Sequence, residues 1–75
     1  PISNELQVKL ITIGGQTVIE VFDLTGKKVA TKTTNSNVGT VNITSVDMSR
    51  NVKGIYLVRI TNNNQVIHQS KIIKQ

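Results

Sequence analysis

Residues 52–74, V-K-G-I-Y-L-V-R-I-T-N-N-N-Q-V-I-H-Q-S-K-I-I-K, are two β-forming runs separated by three consecutive asparagines. Ile55, Tyr56, Leu57, Val58 and Ile60 are β-branched, aromatic or aliphatic, which suits a pleated, largely buried strand. Asn62, Asn63 and Asn64 are among the few non-glycine residues that tolerate the positive φ of a tight hairpin turn. Val66, Ile67, Ile72 and Ile73 carry the chain back. The stretch predicts a terminal β-hairpin.

Upstream the same period continues. Over residues 5–11, Leu6, Val8 and Leu10 fall on one face and Glu5, Gln7 and Lys9 on the other, the alternation of a half-buried strand. Gly14-Gly15 reads as a turn, because glycine supplies the positive φ of a tight reversal. Residues 17–23 form a second, more central strand: Ile19 and Val21 share one face, Val18 and Phe22 the other. Asp23-Leu24-Thr25-Gly26 is a structural turn, with Asp23 accepting backbone hydrogen bonds and Gly26 taking a left-handed conformation. A returning strand over 27–34 has Val29 as its best core candidate. A polar loop at 33–37 is expected next, then a strand over 39–44 with Val41 and Ile43 inward and Asn42 outward. Residues 45–53 are less regular. Val46 and Met48 alternate as in a strand, and Ser49-Arg50-Asn51 reads as a loop. No window holds apolar residues at helical spacing. Short strands with turn signals every 8–12 residues or so predict an all-β, immunoglobulin-like sandwich of six or seven short antiparallel strands.

Seventy-five residues allow one domain, expected to span 1–75. A chain this short buries only about 60% of its unfolded surface, so the core is modest. There is no cysteine to staple it. No apolar run approaches the roughly 18 residues of a membrane-spanning helix, and the start lacks the basic-then-apolar pattern of a signal peptide. If the protein is exported, its inner-membrane address is expected upstream. The formal net charge is +5. The cations are scattered, with Lys27-Lys28 the only adjacent pair. That pattern suits exposed strands guarded against edge pairing, or an acidic protein or lipopolysaccharide partner. A nucleic-acid footprint would be clustered and is not expected.

Too few parts are present for catalysis. The acids are Glu5, Glu20, Asp23 and Asp47, and no spacing pairs them. His68 is the one histidine and sits in a plain strand context. One histidine without thiolates or clustered carboxylates leaves a metal incompletely coordinated. No calcium loop or phosphate-binding glycine run appears. No enzyme, cofactor or metal site is expected. Two aromatics, Phe22 and Tyr56, are too few for a stacking platform. Tyr56 is either a core ring with a satisfied hydroxyl or a direct contact for a partner.

Several of these segments together carry a resemblance. Ser49, then V-K-G-I-Y-L-V-R-I at 52–60, then K-I-I-K at 71–74, resembles the C-terminal sorting domain of the bacterial type IX secretion system. That family has S-x-L-x-x-G-I/V-Y-x-V-x-I/V, a polar turn and a K-I/V-I/V-K-like tail. I-E-V-F-D-L-T-G-K-K-V at 19–29 is similar to its V-x-V-Y-D-x-x-G-K-x-V, with Phe22 where tyrosine is common. Val52 stands where the family has a leucine anchoring the loop to the core. Pro1 would be the last residue of a P-N-P motif, with a short strand before it.

The resemblance implies a secretion signal at the end of a larger cargo protein. The cargo would pass through the periplasm to the cell surface or medium. Implied partners are the type IX outer-membrane translocon and its shuttle proteins, a sortase-like cysteine peptidase that removes the domain, and the upstream cargo domain. By motif match, Gly54, Tyr56, Lys71, Ile72, Ile73 and Lys74 are the implied recognition elements. Lys71 and Lys74 are expected outside, as the cations of an amphipathic strand whose edge can be gripped by β-augmentation. The alternative is an immunoglobulin-like accessory or adhesion module that binds protein or glycan.

Overall fold

The computed structural model describes residues 4–75. Residues 1–3, including Pro1 and the motif expected there, lie outside the described residues, as do the side chains at 12, 13, 36–38 and 40. Four strands run in the order β1 (Glu5–Phe22), β2 (Lys28–Asp47), β3 (Gly54–Asn62) and β4 (Gln65–Lys74). Every pairing is antiparallel, and the hydrogen-bonded order is β2-β1-β3-β4. No helix occurs among the described residues.

β1 has 18 residues and β2 has 20. At about 3.3 Å per residue each would reach roughly 60 Å if straight. The longest dimension of the molecule is 35 Å, so both strands must fold over. Residues 5–13 and 38–47 pair with each other only, whereas residues 17–22 pair with both β2 and β3. The first two segments therefore lie over the other four. Six antiparallel segments make the two layers of the expected all-β sandwich. Leu6, Val8 and Val46 from one layer share a core with Ile19, Val21, Tyr56, Val58 and Ile60 from the other, and Met48 joins from the connection.

The corner of β1 is Gly14-Gly15. Both have positive φ, 90° and 81°. The expected reversal does not occur, because the chain keeps pairing with β2 on both sides of the glycines. Two left-handed residues here bend a strand by changing its direction out of the sheet plane. β2 follows the bend with one extra residue between its pairings to Ile11 and Ile13. The polar loop expected at 33–37 is accordingly strand: Thr33, Thr34, Asn35 and Ser36 pair with β1.

The bend also settles facing. Thr44 and Val46 point inward with Met48, and Val41 and Ile43 are exposed, the reverse of the expectation for 39–44. Alternation identifies residues that share a face, but Val46 and Met48 decide which face is covered. Over residues 5–29 the alternation read correctly. Leu6 and Val8 are buried, as are Ile19 and Val21, and Val29 packs against the core edge. The asparagine turn is a two-residue hairpin with Asn63 at φ 47° and Asn64 at φ 68°.

The hairpin turn fastens the corner. Asn62 is buried, and its Nδ2 donates to the Gly14 carbonyl and to Thr17 Oγ1, each at 3.1 Å. Asn63 Oδ1 accepts from the Gln16 amide at 3.2 Å, and the Asn63 amide donates to the Gln16 carbonyl at 2.9 Å. The asparagines thus set the turn and tie β3–β4 to the fold-over of β1.

Candidate recognition surface at the terminal hairpin

β3 and β4 pair in register, Gly54 with Lys74, Ile55 with Ile73, Tyr56 with Ile72 and Leu57 with Lys71. All six residues singled out by motif stand on these four successive rungs. Paired residues share a face and neighbours alternate, so the six divide into two sets.

The inward set is structural in its contacts. Tyr56 is buried, and its hydroxyl donates to the Val52 carbonyl four residues upstream. A tyrosine hydroxyl bonded a few residues back is the tyrosine corner of immunoglobulin-like sandwiches. Ile72 is half-buried against the core. Lys74 is the surprise. It is only 6% exposed, and its ammonium donates to the Asn51 carbonyl. The expectation of two outward lysines fails for Lys74, because period two puts it on the side of Tyr56 and Ile72. Gly54, opposite Lys74, has φ 151°, a conformation that favours glycine. A Cβ there would meet nothing within 4 Å, so backbone conformation is what selects glycine.

Tyr56 and Lys74 therefore hold adjacent carbonyls of the connection that crosses from β2 to β3. Met48, fully buried, anchors its start, and the Asn51 amide donates to the Met48 carbonyl at 3.0 Å. Val52 anchors nothing: it is 79% exposed. The loop is secured through its backbone at Val52, not through the side chain that the leucine of the motif suggested.

The outward set is a surface. Lys71 is exposed and Ile73 is 50% exposed. Ile55 and Leu57, expected to be largely buried, are 40% and 44% exposed on the same face. Phe22 stands opposite Leu57 across β1–β3. The Arg59 guanidinium lies 4.8 Å from the Phe22 ring centroid and 3.2 Å from Glu20 Oε1. Lys28 approaches Glu20 from the other side at 3.5 Å. From sequence, Phe22, Ile55, Leu57 and Arg59 were placed in strands but not on a common surface. Their signal was apolar residues on both faces of one strand, which also describes a doubly buried strand.

The remaining titratable groups have local roles. Asp23 Oδ1 accepts from the Thr25 hydroxyl at 2.6 Å, the Thr25 amide at 2.9 Å and the Lys27 amide at 3.0 Å. The Gly26 amide donates to the Asp23 carbonyl at 3.0 Å, and Gly26 has φ 91°. The hydrogen bond from the Thr25 side chain, then that from the Lys27 backbone, holds the Asp23 carboxyl below its ordinary value. Asp47 is lowered in the same way by the Ser49 side chain and amide, the latter at 2.9 Å. His68 is exposed and stands opposite Ile60. Among the described residues no three histidines or acids come together as a metal site.

Neither curated proteins nor solved structures yielded a match to the chain. A family model does match, over residues 1–75, and its description is a secretion system C-terminal sorting domain. The exposed and latched rungs of the terminal hairpin thus sit in a chain that belongs to the type IX secretion C-terminal sorting domain family, whose members are sorting signals for export.

Proposed function

We propose that residues 1–75 are a single C-terminal sorting domain following a larger cargo, and that the type IX outer-membrane translocon and its shuttle proteins read it in its folded state. The observation that carries this is the grouping of Gly54, Tyr56, Lys71, Ile72, Ile73 and Lys74 on four consecutive rungs. On this reading the six do not act alike. Tyr56, Ile72, Gly54 and Lys74 build the sandwich end, and Lys71 and Ile73 are presented to the machinery. The domain itself performs no catalysis. Its engagement delivers the cargo through the periplasm to the surface or medium, where a sortase-like cysteine peptidase removes the domain. The accessory-module alternative has no observation in its favour.

The test is a transplant. Residues 1–75 are fused to the C-terminus of a periplasm-targeted fluorescent reporter, in a host with the type IX machinery and in the same host lacking its translocon. Surface or medium fluorescence in the intact host alone is the expected result. A folded reporter held in the periplasm of both hosts would defeat the reading.

A further inference from the structure

The outward rungs form a row that crosses all four strands. Lys28 pairs with Phe22, Phe22 with Leu57, and Leu57 with Lys71. Two apolar side chains thus lie between two lysines. Three gaps of about 4.8 Å put the lysine positions roughly 14 Å apart. Ile55 and Ile73, paired two rungs along on the same face, extend the apolar centre. On the other side lie Glu20 and Arg59, paired with each other. The side chains of the row and its flank carry three cations, Lys28, Arg59 and Lys71, and one carboxylate, Glu20; the Asp23 carboxylate that follows Phe22 is taken up by the hydrogen bonds of its own turn. Glu20 is shared by Arg59 and Lys28, and Lys71 has no carboxylate within ion-pair distance among the described residues. Leu57, Ile55 and Ile73 are exposed, and Phe22 is half-buried with the Arg59 guanidinium over its ring; an apolar strip with a positive rim is a docking surface for an apolar, negatively charged partner.

We propose that this face docks an extended acidic segment of a partner protein, laid across the strands, with carboxylates at both ends and an apolar side chain between them. In an extended peptide, residues i, i+2 and i+4 share a face, and i to i+4 spans about 14 Å. That matches the lysine spacing of the row. The carboxylates meet Lys28 and Lys71, and the apolar side chain lies over Leu57, at the edge of Phe22. This inference rests on the sorting reading for its biological partner, and it names which side of the terminal hairpin the machinery touches. Tyr56 and Lys74 lie on the opposite, buried side and take no part in the contact.

The direct test is an NMR titration of the isotope-labelled 75-residue protein with a blocked pentapeptide, E-T-L-T-E, up to about 5 mM, a range that captures millimolar affinity. Saturating amide shifts at Phe22, Leu57 and Lys71 are expected, with none from K-T-L-T-K. Lys71→Glu should weaken binding by about fivefold or more through loss of the facing charge. Absence of shifts along the row, or equal shifts with the lysine peptide, overturns the proposal. So does retention on phosphatidylglycerol vesicles that is tighter than the peptide and lost in Lys71→Glu, which would assign the face to lipid. The reporter fusion separates this from the sorting reading. Peptide binding without export of the wild-type fusion defeats the sorting reading and leaves the surface standing. Normal export of both Lys71→Glu and Leu57→Thr, each folded by thermal melt, beside an exported wild type overturns the surface as the face the machinery reads. Val41→Thr, exposed on the other layer, is the control that should export normally.

Discussion

The ammonium of Lys74 donates to the backbone carbonyl of Asn51, tying the last strand to the connection between β2 and β3. Lys71, three residues earlier, is exposed beside Leu57. The two lysines of the tail are thus unequal. Lys74→Met should destabilise the domain by about 1.5–3 kcal/mol, the range for a hydrogen bond to a charged group. Lys71→Ala should stay within about 0.5 kcal/mol, as an exposed substitution does. Denaturant unfolding of both variants checks this, and equal effects would refute the latch.

Tyr56 and Lys74 secure neighbouring carbonyls of one loop, so their removal should not be independent. Tyr56→Phe keeps the buried ring and loses the bond to Val52, at a cost of about 1 kcal/mol. Once either fastening is gone the loop is freer, and the second substitution should cost less than it does alone. A double-mutant cycle with Tyr56→Phe and Lys74→Met should show coupling of about 0.5 kcal/mol or more. Additive effects would mean that the loop is held elsewhere.

Gly15 faces two constraints. Its φ of 81° disfavours any other L-residue, and a Cβ there would run into the amide group of Asn63. Gly15→Ala should cost about 1–2 kcal/mol from backbone conformation alone, and more with Asn63 present. In an Asn63→Ala background the excess should vanish. If the cost of Gly15→Ala is the same in both backgrounds, the Asn63 side chain does not close against the corner.

Asp23 and Asp47 predict acid sensitivity. Both carboxyls are held below 3.8 in the folded state by hydrogen bonds that the unfolded chain lacks. A depressed folded value means stabilisation that is complete above the unfolded carboxylate range and is lost as pH falls through the folded value. Thermal melts between about pH 5 and pH 2 should show Tm falling. Asp23→Asn, which keeps an acceptor for the turn, should flatten that fall, and Asp47→Asn should flatten it further. An unchanged pH profile in the double variant would show that the two turns do not carry the effect.

Much of this fold was legible in the residues because strand alternation and turn chemistry are local. Leu6 and Val8, or Ile19 and Val21, share a face whatever happens elsewhere, and Asp23 to Gly26 closes its turn with its own atoms. The asparagine pair at 63–64 turns the hairpin for the same reason. The terminal hairpin motifs likewise marked the family from sequence order alone.

Other features depended on segments distant in sequence. Gly14-Gly15 looks the same whether it reverses a chain or bends one, and only the continuous pairing with β2 made it a corner. Val41 and Ile43 are apolar and alternate, yet they face out because Val46 and Met48 took the covered side. Lys74 looks like a surface cation until Asn51, 23 residues away, supplies an acceptor. The sequence by itself determined most of the strand segments, the turns at Asp23–Gly26 and Asn63–Asn64, and the family, because those are properties of neighbouring residues. Only the tertiary structure decided which side of each strand was covered, and with it that Lys74 latches and Lys71 is presented, because burial is set by what folds over a face and not by the face itself.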